Sequence, residues 1–221
     1  MTIIERPSPS FDVRLLPVSM IVLHYTGMQS AAAALDRLAD PAAKVSAHYV
    51  VAEGGQVVRM VTEADRAWHA GRSYWRGITD VNSASVGIEI VNPGHEFGYV
   101  PFPGPQMDAV VELVASIAAR YGVAPVMVVG HSDIAPARKD DPGELFDWPR
   151  LARAGLALPV PAPRLDPGWT NGRFAAALHS FGYDTDAANA AVVAFQRRFR
   201  PRDFGGGIDA ECRAILFELL R

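Results

Sequence analysis

The stretch Val18-Ser19-Met20-Ile21-Val22-Leu23-His24 decides how the chain is built. It is short, rich in β-branched and aliphatic residues and bounded by loop-forming residues, so it reads as a buried central strand. The strand delivers His24 to its end. Just beyond, Ser30 precedes an alanine-rich stretch through Leu38 that suits a serine-capped helix, and Asp40-Pro41 stops it. Ala47 to Ala52 and Gln56 to Val61 then read as a hairpin, because Glu53-Gly54-Gly55 supplies glycines free to take positive φ in a tight turn.

Further out lies a loop rich in Trp, Gly and Arg, from Trp68 to Asp80. Ser85 to Val91 follows as a strand with Val86, Ile88 and Ile90 on one face and Glu89 on the other. Gln106 to Tyr121 repeats apolar residues at helical spacing and ends in Gly122, which marks a long amphipathic helix. Val126 to Val129 is a further strand that delivers Gly130-His131. Strands and helices in this order predict an α/β fold, a central mixed β-sheet flanked by helices.

Four prolines between Leu156 and Pro167 mark a linker. Beyond it, Gly172 to Phe181, Ala187 to Phe199 and Asp209 to Leu220 carry helical patterns separated by Gly- and Asp-containing turns. The expected division is therefore a catalytic domain over 1–157, a Pro-rich linker over 158–168 and a small three-helix domain over 169–221. Such a module lies near the lower size limit for independent stability.

Of the 221 residues 49% are hydrophobic and 20% charged, the balance of a soluble globular chain. A net charge of -3 offers no broad basic surface, which argues against nucleic acid as a partner. No apolar run is long enough to span a membrane. Met1 to Pro7 lacks the charged-then-apolar layout of a secretory signal. The expected compartment is the cytoplasm, with the periplasm as the alternative for a chain whose leader has been removed, and the expected state is a monomer. The single cysteine, Cys212, forbids an internal disulfide and reads as a small apolar residue in a terminal helix.

Three side chains suit a metal: His24 at one strand end, His131 at another and Asp141 ten residues later in a loop held by Pro142. Two imidazoles and a carboxylate, with one coordination position left open, form the ligand set of a catalytic zinc rather than a structural one. Amide hydrolysis also requires a base to take a proton from the attacking water and a cation to steady the oxyanion. Glu89, a carboxylate set in an apolar strand where burial would raise its pKa, and Lys139 are the candidates.

Five runs carry a resemblance: Val22-Leu23-His24-Tyr25-Thr26, Val45-Ser46-Ala47-His48-Tyr49, Ala67-Trp68-His69-Ala70-Gly71, Asn82 to Glu89, and Gly130 to Gly143. In order and spacing, over residues 5 to 155, they closely resemble the type-2 N-acetylmuramoyl-L-alanine amidases. The resemblance implies zinc (Zn2+) held by His24, His131 and Asp141, with Glu89 as catalytic acid/base and Lys139 supporting the transition state. The implied substrate is peptidoglycan or muropeptide fragments, in polymeric or 1,6-anhydro form, cut between the lactyl group and L-alanine. Trp68 and His69 resemble a segment walling the substrate groove, and Lys44 stands where some relatives carry an arginine for a substrate carboxylate. Ala191 to Phe199 with Gly207 to Glu211 resembles a small helical peptidoglycan-binding module. The same fold serves in peptidoglycan recognition proteins, many of which have lost a zinc ligand and only hold the muropeptide; the full ligand set here favours the enzyme.

Overall fold

Hydrogen-bonded parallel neighbours lie on both sides of the strand at Met20–Tyr25, so it occupies the interior of the sheet. The computed structural model describes residues 2–221, which leaves the first residue of the expected 1–157 unit outside the described residues. In chain order the strands are β1 (Ile3–Glu5), β2 (Phe11–Val13), β3 (Met20–Tyr25), β4 (Tyr49–Val51), β5 (Val57–Arg59), β6 (Asp65–Ala67), β7 (Ser85–Ile90) and β8 (Val128–Gly130). The helices are α1 (Ala31–Ala39), α2 (Val81–Ala84), α3 (Gly94–Phe97), α4 (Gly104–Tyr121), α5 (His131–Ile134), α6 (Trp148–Arg153), α7 (Asn171–Phe181), α8 (Ala188–Phe199) and α9 (Ala210–Leu219).

Six strands form one mixed sheet in the order β1-β5-β4-β7-β3-β8, antiparallel only between β5 and β4. This is the predicted architecture. Burial on both faces explains the near-continuous apolar run of β3. Ile21 and Leu23 join Val86, Ile88 and Ile90 under Val110, Leu113 and Ile117 of α4. Met20, Val22 and Val129 point the opposite way and pack with Phe174, Leu178, Phe195 and Phe199 of the C-terminal helices.

The local signals act as their chemistry requires. The Ser30 hydroxyl accepts from the Ala33 N–H at 3.2 Å and opens α1. Gly122 takes φ 67° and closes α4 by donating its N–H to Ala118. The hairpin strands are shorter than predicted, because the His48 carbonyl accepts from both Met60 and Val61 and so breaks the ladder. The last strand starts later than predicted, after a 3-10 turn opened by Pro125. β1 and the separate β2–β6 pair were not anticipated; three residues are too few to show an alternating pattern.

The three C-terminal helices form at the predicted places, and no regular element lies between Arg153 and Asn171. Their apolar sides share one cluster with the underside of the sheet. Among the described residues, no helix is long and apolar enough to cross a membrane. Because Phe195 is fully buried in that shared cluster, Phe195→Ala is expected to cost about 3–5 kcal/mol. Calorimetry should record this as a downward shift of one cooperative transition, whereas two separated transitions with only one of them moved would contradict a shared core.

Candidate active site

β3, β7 and β8 run parallel, and their carboxyl ends meet at one rim, where open α/β sheets commonly place ligands. His24 and Glu89 are register partners across β3 and β7. His131 follows β8 directly as the first residue of α5. Asp141 is returned to the same rim by the Ser132 N–H, which donates to its carbonyl at 2.8 Å. A Cβ on Gly130 would lie 2.6 Å from Cδ of Pro142, so only glycine lets the two loops close on each other.

His24 Nδ1 lies 2.9 Å from His131 Nδ1, and both lie 3.1 Å from Asp141 Oδ2. Three donor atoms thus form a small triangle, and all three residues are buried. Two nitrogens and one oxygen in this compact arrangement fit a tetrahedral metal that keeps one position for a further ligand. Burial, followed by the neighbouring His131, pushes His24 down to about 4, so its imidazole is neutral and able to ligate at neutral pH.

The outer contacts fix which ring nitrogens face the triangle. Ser85 donates its hydroxyl proton to the Val81 carbonyl at 2.6 Å, so its oxygen accepts from His69 Nε2 at 3.2 Å. His69 Nδ1 must then accept from His24 Nε2 at 3.0 Å, and His24 presents its free Nδ1 lone pair inward. On the opposite side, His131 Nε2 donates to the Ala70 carbonyl at 3.2 Å and likewise leaves Nδ1 free. Such partners orient metal-binding imidazoles and set their tautomer.

His69 was expected to wall the substrate groove. Although it borders the cleft, it is only 8% exposed and its ring supports His24 from behind. The clue in the sequence was Gly87 inside a strand: a Cβ there would collide with the His69 ring. His48 is satisfied by the Gly87 N–H, which donates to its Nδ1 at 2.9 Å.

A cleft of about 380 Å³ opens over the triangle and is lined by Glu89, Trp68, Arg37, Arg138 and Lys139 among others. Glu89 Oε2 is buried without a hydrogen-bond partner. Burial first, and then the Asp141 charge, raise its pKa well above the ordinary carboxylate value, with Lys139 opposing. The Trp68 indole N–H donates to Asp12 at 2.6 Å, which leaves the ring as part of the cleft wall. Lys44 is exposed in a left-handed conformation, φ 51°, and is not among the cleft-lining residues. Arg37 and Arg138, not singled out in the sequence, border the cleft instead. His95 bonds to the Tyr25 hydroxyl at 3.0 Å and lies 3.1 Å from a Glu144 carboxylate oxygen.

Comparison with known proteins gives a consistent picture. A family model described as N-acetylmuramoyl-L-alanine amidase matches residues 14–144. The N-acetylmuramoyl-L-alanine amidase AmiD of Escherichia coli is 36% identical over 92% of this chain and 82% of its own length. Its structure in complex with anhydro-N-acetylmuramic acid-L-Ala-D-gamma-Glu-L-Lys superposes with a TM-score of 0.85 at 33% identity, over 97% of this chain and 92% of that one. AmpDh3 of Pseudomonas aeruginosa, solved with anhydromuramic pentapeptide, gives a TM-score of 0.76 at 31% identity over 96% of this chain and 93% of that one.

Three buried imidazoles make the fold sensitive to acid. Burial is the main cause in each case, and it holds His24 and His48 at about 4 and His69 well below its ordinary 6.5. In the unfolded chain each binds a proton below about pH 6.5. Their contribution to stability is thus complete above that pH and is lost as pH falls toward 4, at up to about 1.4 kcal/mol per group per pH unit. The thermal midpoint of metal-free protein is expected to drop steadily between pH 7 and 4.5; a level midpoint across that window would contradict the assignment.

Proposed function

The chain belongs to the N-acetylmuramoyl-L-alanine amidases, and from that premise we propose a zinc hydrolase that cuts the amide between the lactyl group of 1,6-anhydro-N-acetylmuramic acid and L-alanine. The observation that carries this reading is the side-by-side placement of a two-histidine, one-aspartate triangle and a carboxylate with an unpartnered buried oxygen. His24, His131 and Asp141 would hold the zinc. When bound, the metal supplies Lewis acidity that polarises the carbonyl and acidifies the attacking water.

The chain's own residues provide the remainder. Glu89 takes the proton of the attacking water on its carboxylate and returns it to the alanine nitrogen as the C–N bond breaks. Its raised pKa makes the carboxylate a stronger proton acceptor than an exposed glutamate. Lys139, at the cleft wall, places its ammonium where negative charge grows on the carbonyl oxygen. Trp68 offers an indole face to the sugar or peptide, and Arg37 and Arg138 set positive charge where the stem peptide carries carboxylates.

Support for a soluble anhydro substrate is that two relatives covering nearly the whole chain are structures with anhydromuramic peptides. Turnover of wall fragments in recycling is the corresponding role. The same two likenesses extend over the helices at 169–221, which we assign as a peptidoglycan-binding-like unit following the linker at 158–168.

Purified anhydromuropeptide and whole sacculi, digested side by side, test the reading. Wild-type protein is expected to release the L-Ala-peptide from the soluble fragment and to lose that activity in chelator until zinc is restored. Glu89→Gln should lower turnover by about 10²–10⁴-fold at unchanged zinc content. Retained turnover in Glu89→Gln, or indifference to the chelator, would refute it.

A further inference from the structure

Two consecutive arginines of α8, Arg197 and Arg198, are only 8% and 6% exposed. Neither points to solvent, as charged residues of a helix in a detachable binding module would. Instead they reach the two loops that carry His131 and Asp141. We propose that α8 is a brace for the metal centre, with Arg198 holding the His131 turn and Arg197 holding the Asp141 loop. This inference rests on the zinc reading of the site.

Arg198 works through Asp133, two residues after His131. One guanidinium nitrogen donates to Asp133 Oδ2 at 2.7 Å and the other to the Val128 carbonyl at 2.9 Å. The guanidinium carbon also lies over the Trp148 ring, 3.8 Å from its centroid. The Asp133 carboxylate is 1% exposed and fully engaged: Oδ2 also accepts from the Gly130 N–H at 2.7 Å, and Oδ1 accepts from the Tyr183 hydroxyl at 2.5 Å. One carboxylate therefore ties the residue before His131 to α8 and to the turn between α7 and α8.

Arg197 grips the other loop. Its guanidinium pairs with Asp140 at 2.8 Å, next to Asp141 and Lys139, and approaches Glu144 at 3.6 Å. The loop from Trp68 to Asp80 leans on the same helices: Tyr74 stacks on His179, and Arg76 donates to the Phe181 carbonyl. Three segments around the cleft thus rest on the C-terminal helices. Partners one step removed from a metal ligand commonly change metal affinity by about 10–100-fold when removed.

Arg197 and Arg198 are positioning residues on this account, and zinc affinity is the readout that separates positioning from general stability. Competition with a chromogenic chelator measures it on the full chain. Arg197→Gln and Asp140→Asn, which break the same pair from opposite sides, are each expected to weaken zinc binding by roughly 10-fold or more. Both should lower kcat with KM little changed, and Arg197→Lys should recover part of the loss. The Asp140 side chain is 59% exposed, so its substitution leaves the fold intact. Arg213→Gln, which breaks a pair with Asp166 elsewhere in the C-terminal region, should bind zinc as the wild type does. Wild-type affinity in both Arg197→Gln and Asp140→Asn would overturn the brace alone. A wild-type chain that binds no zinc would overturn the site reading, and the brace with it.

Discussion

A carboxylate buried between two imidazoles is stable only where the polar atoms around it are fixed, because a buried charge without partners is costly. Asp141 sits in that position, 3.1 Å from each ring. Much of the architecture follows from holding this contact. Parallel strands bring His24 and His131 to one rim, and a glycine at 130 lets the Asp141 loop close on the last strand. Two outward hydrogen-bond chains, one ending on Val81 and one on Ala70, turn each imidazole so that Nδ1 faces inward.

Glu89 is subject to the same physics with the opposite outcome. As the register neighbour of His24 it reaches the same cleft, but no donor meets its Oε2. Desolvation, and then the nearby Asp141 charge, therefore raise its pKa. Two carboxylates in one site thus meet different surroundings, one within reach of two imidazoles and one without a partner.

The sheet, the long helix and the three C-terminal helices were legible because burial imposes a period on each. That His24, His131 and Asp141 come together was legible because the two histidines stand at strand ends and Asp141 lies close to His131 in the chain. The support for the triad was harder to read. His69 was placed at the groove by resemblance and does border the cleft; its contact with His24 from behind depends on strands far away in sequence, and Gly87 was the sole local hint. Arg197 and Arg198 look like ordinary polar positions of a surface helix, since nothing in a helical pattern tells which partner covers it. Lys44 was drawn toward the cleft by resemblance, but the left-handed turn that follows α1 leaves it exposed, and Arg37 of the preceding helix borders the cleft instead. The linker is apparent from its prolines, whereas the shared core beneath the sheet is visible only in three dimensions.

X-ray absorption at the zinc edge of the zinc-loaded protein reports the ligand atoms themselves. Two imidazole nitrogens at about 2.0–2.1 Å are expected together with oxygen donors and no sulfur shell, with one imidazole lost in His131→Ala. A sulfur shell, or a spectrum unchanged by His131→Ala, would contradict this ligand set.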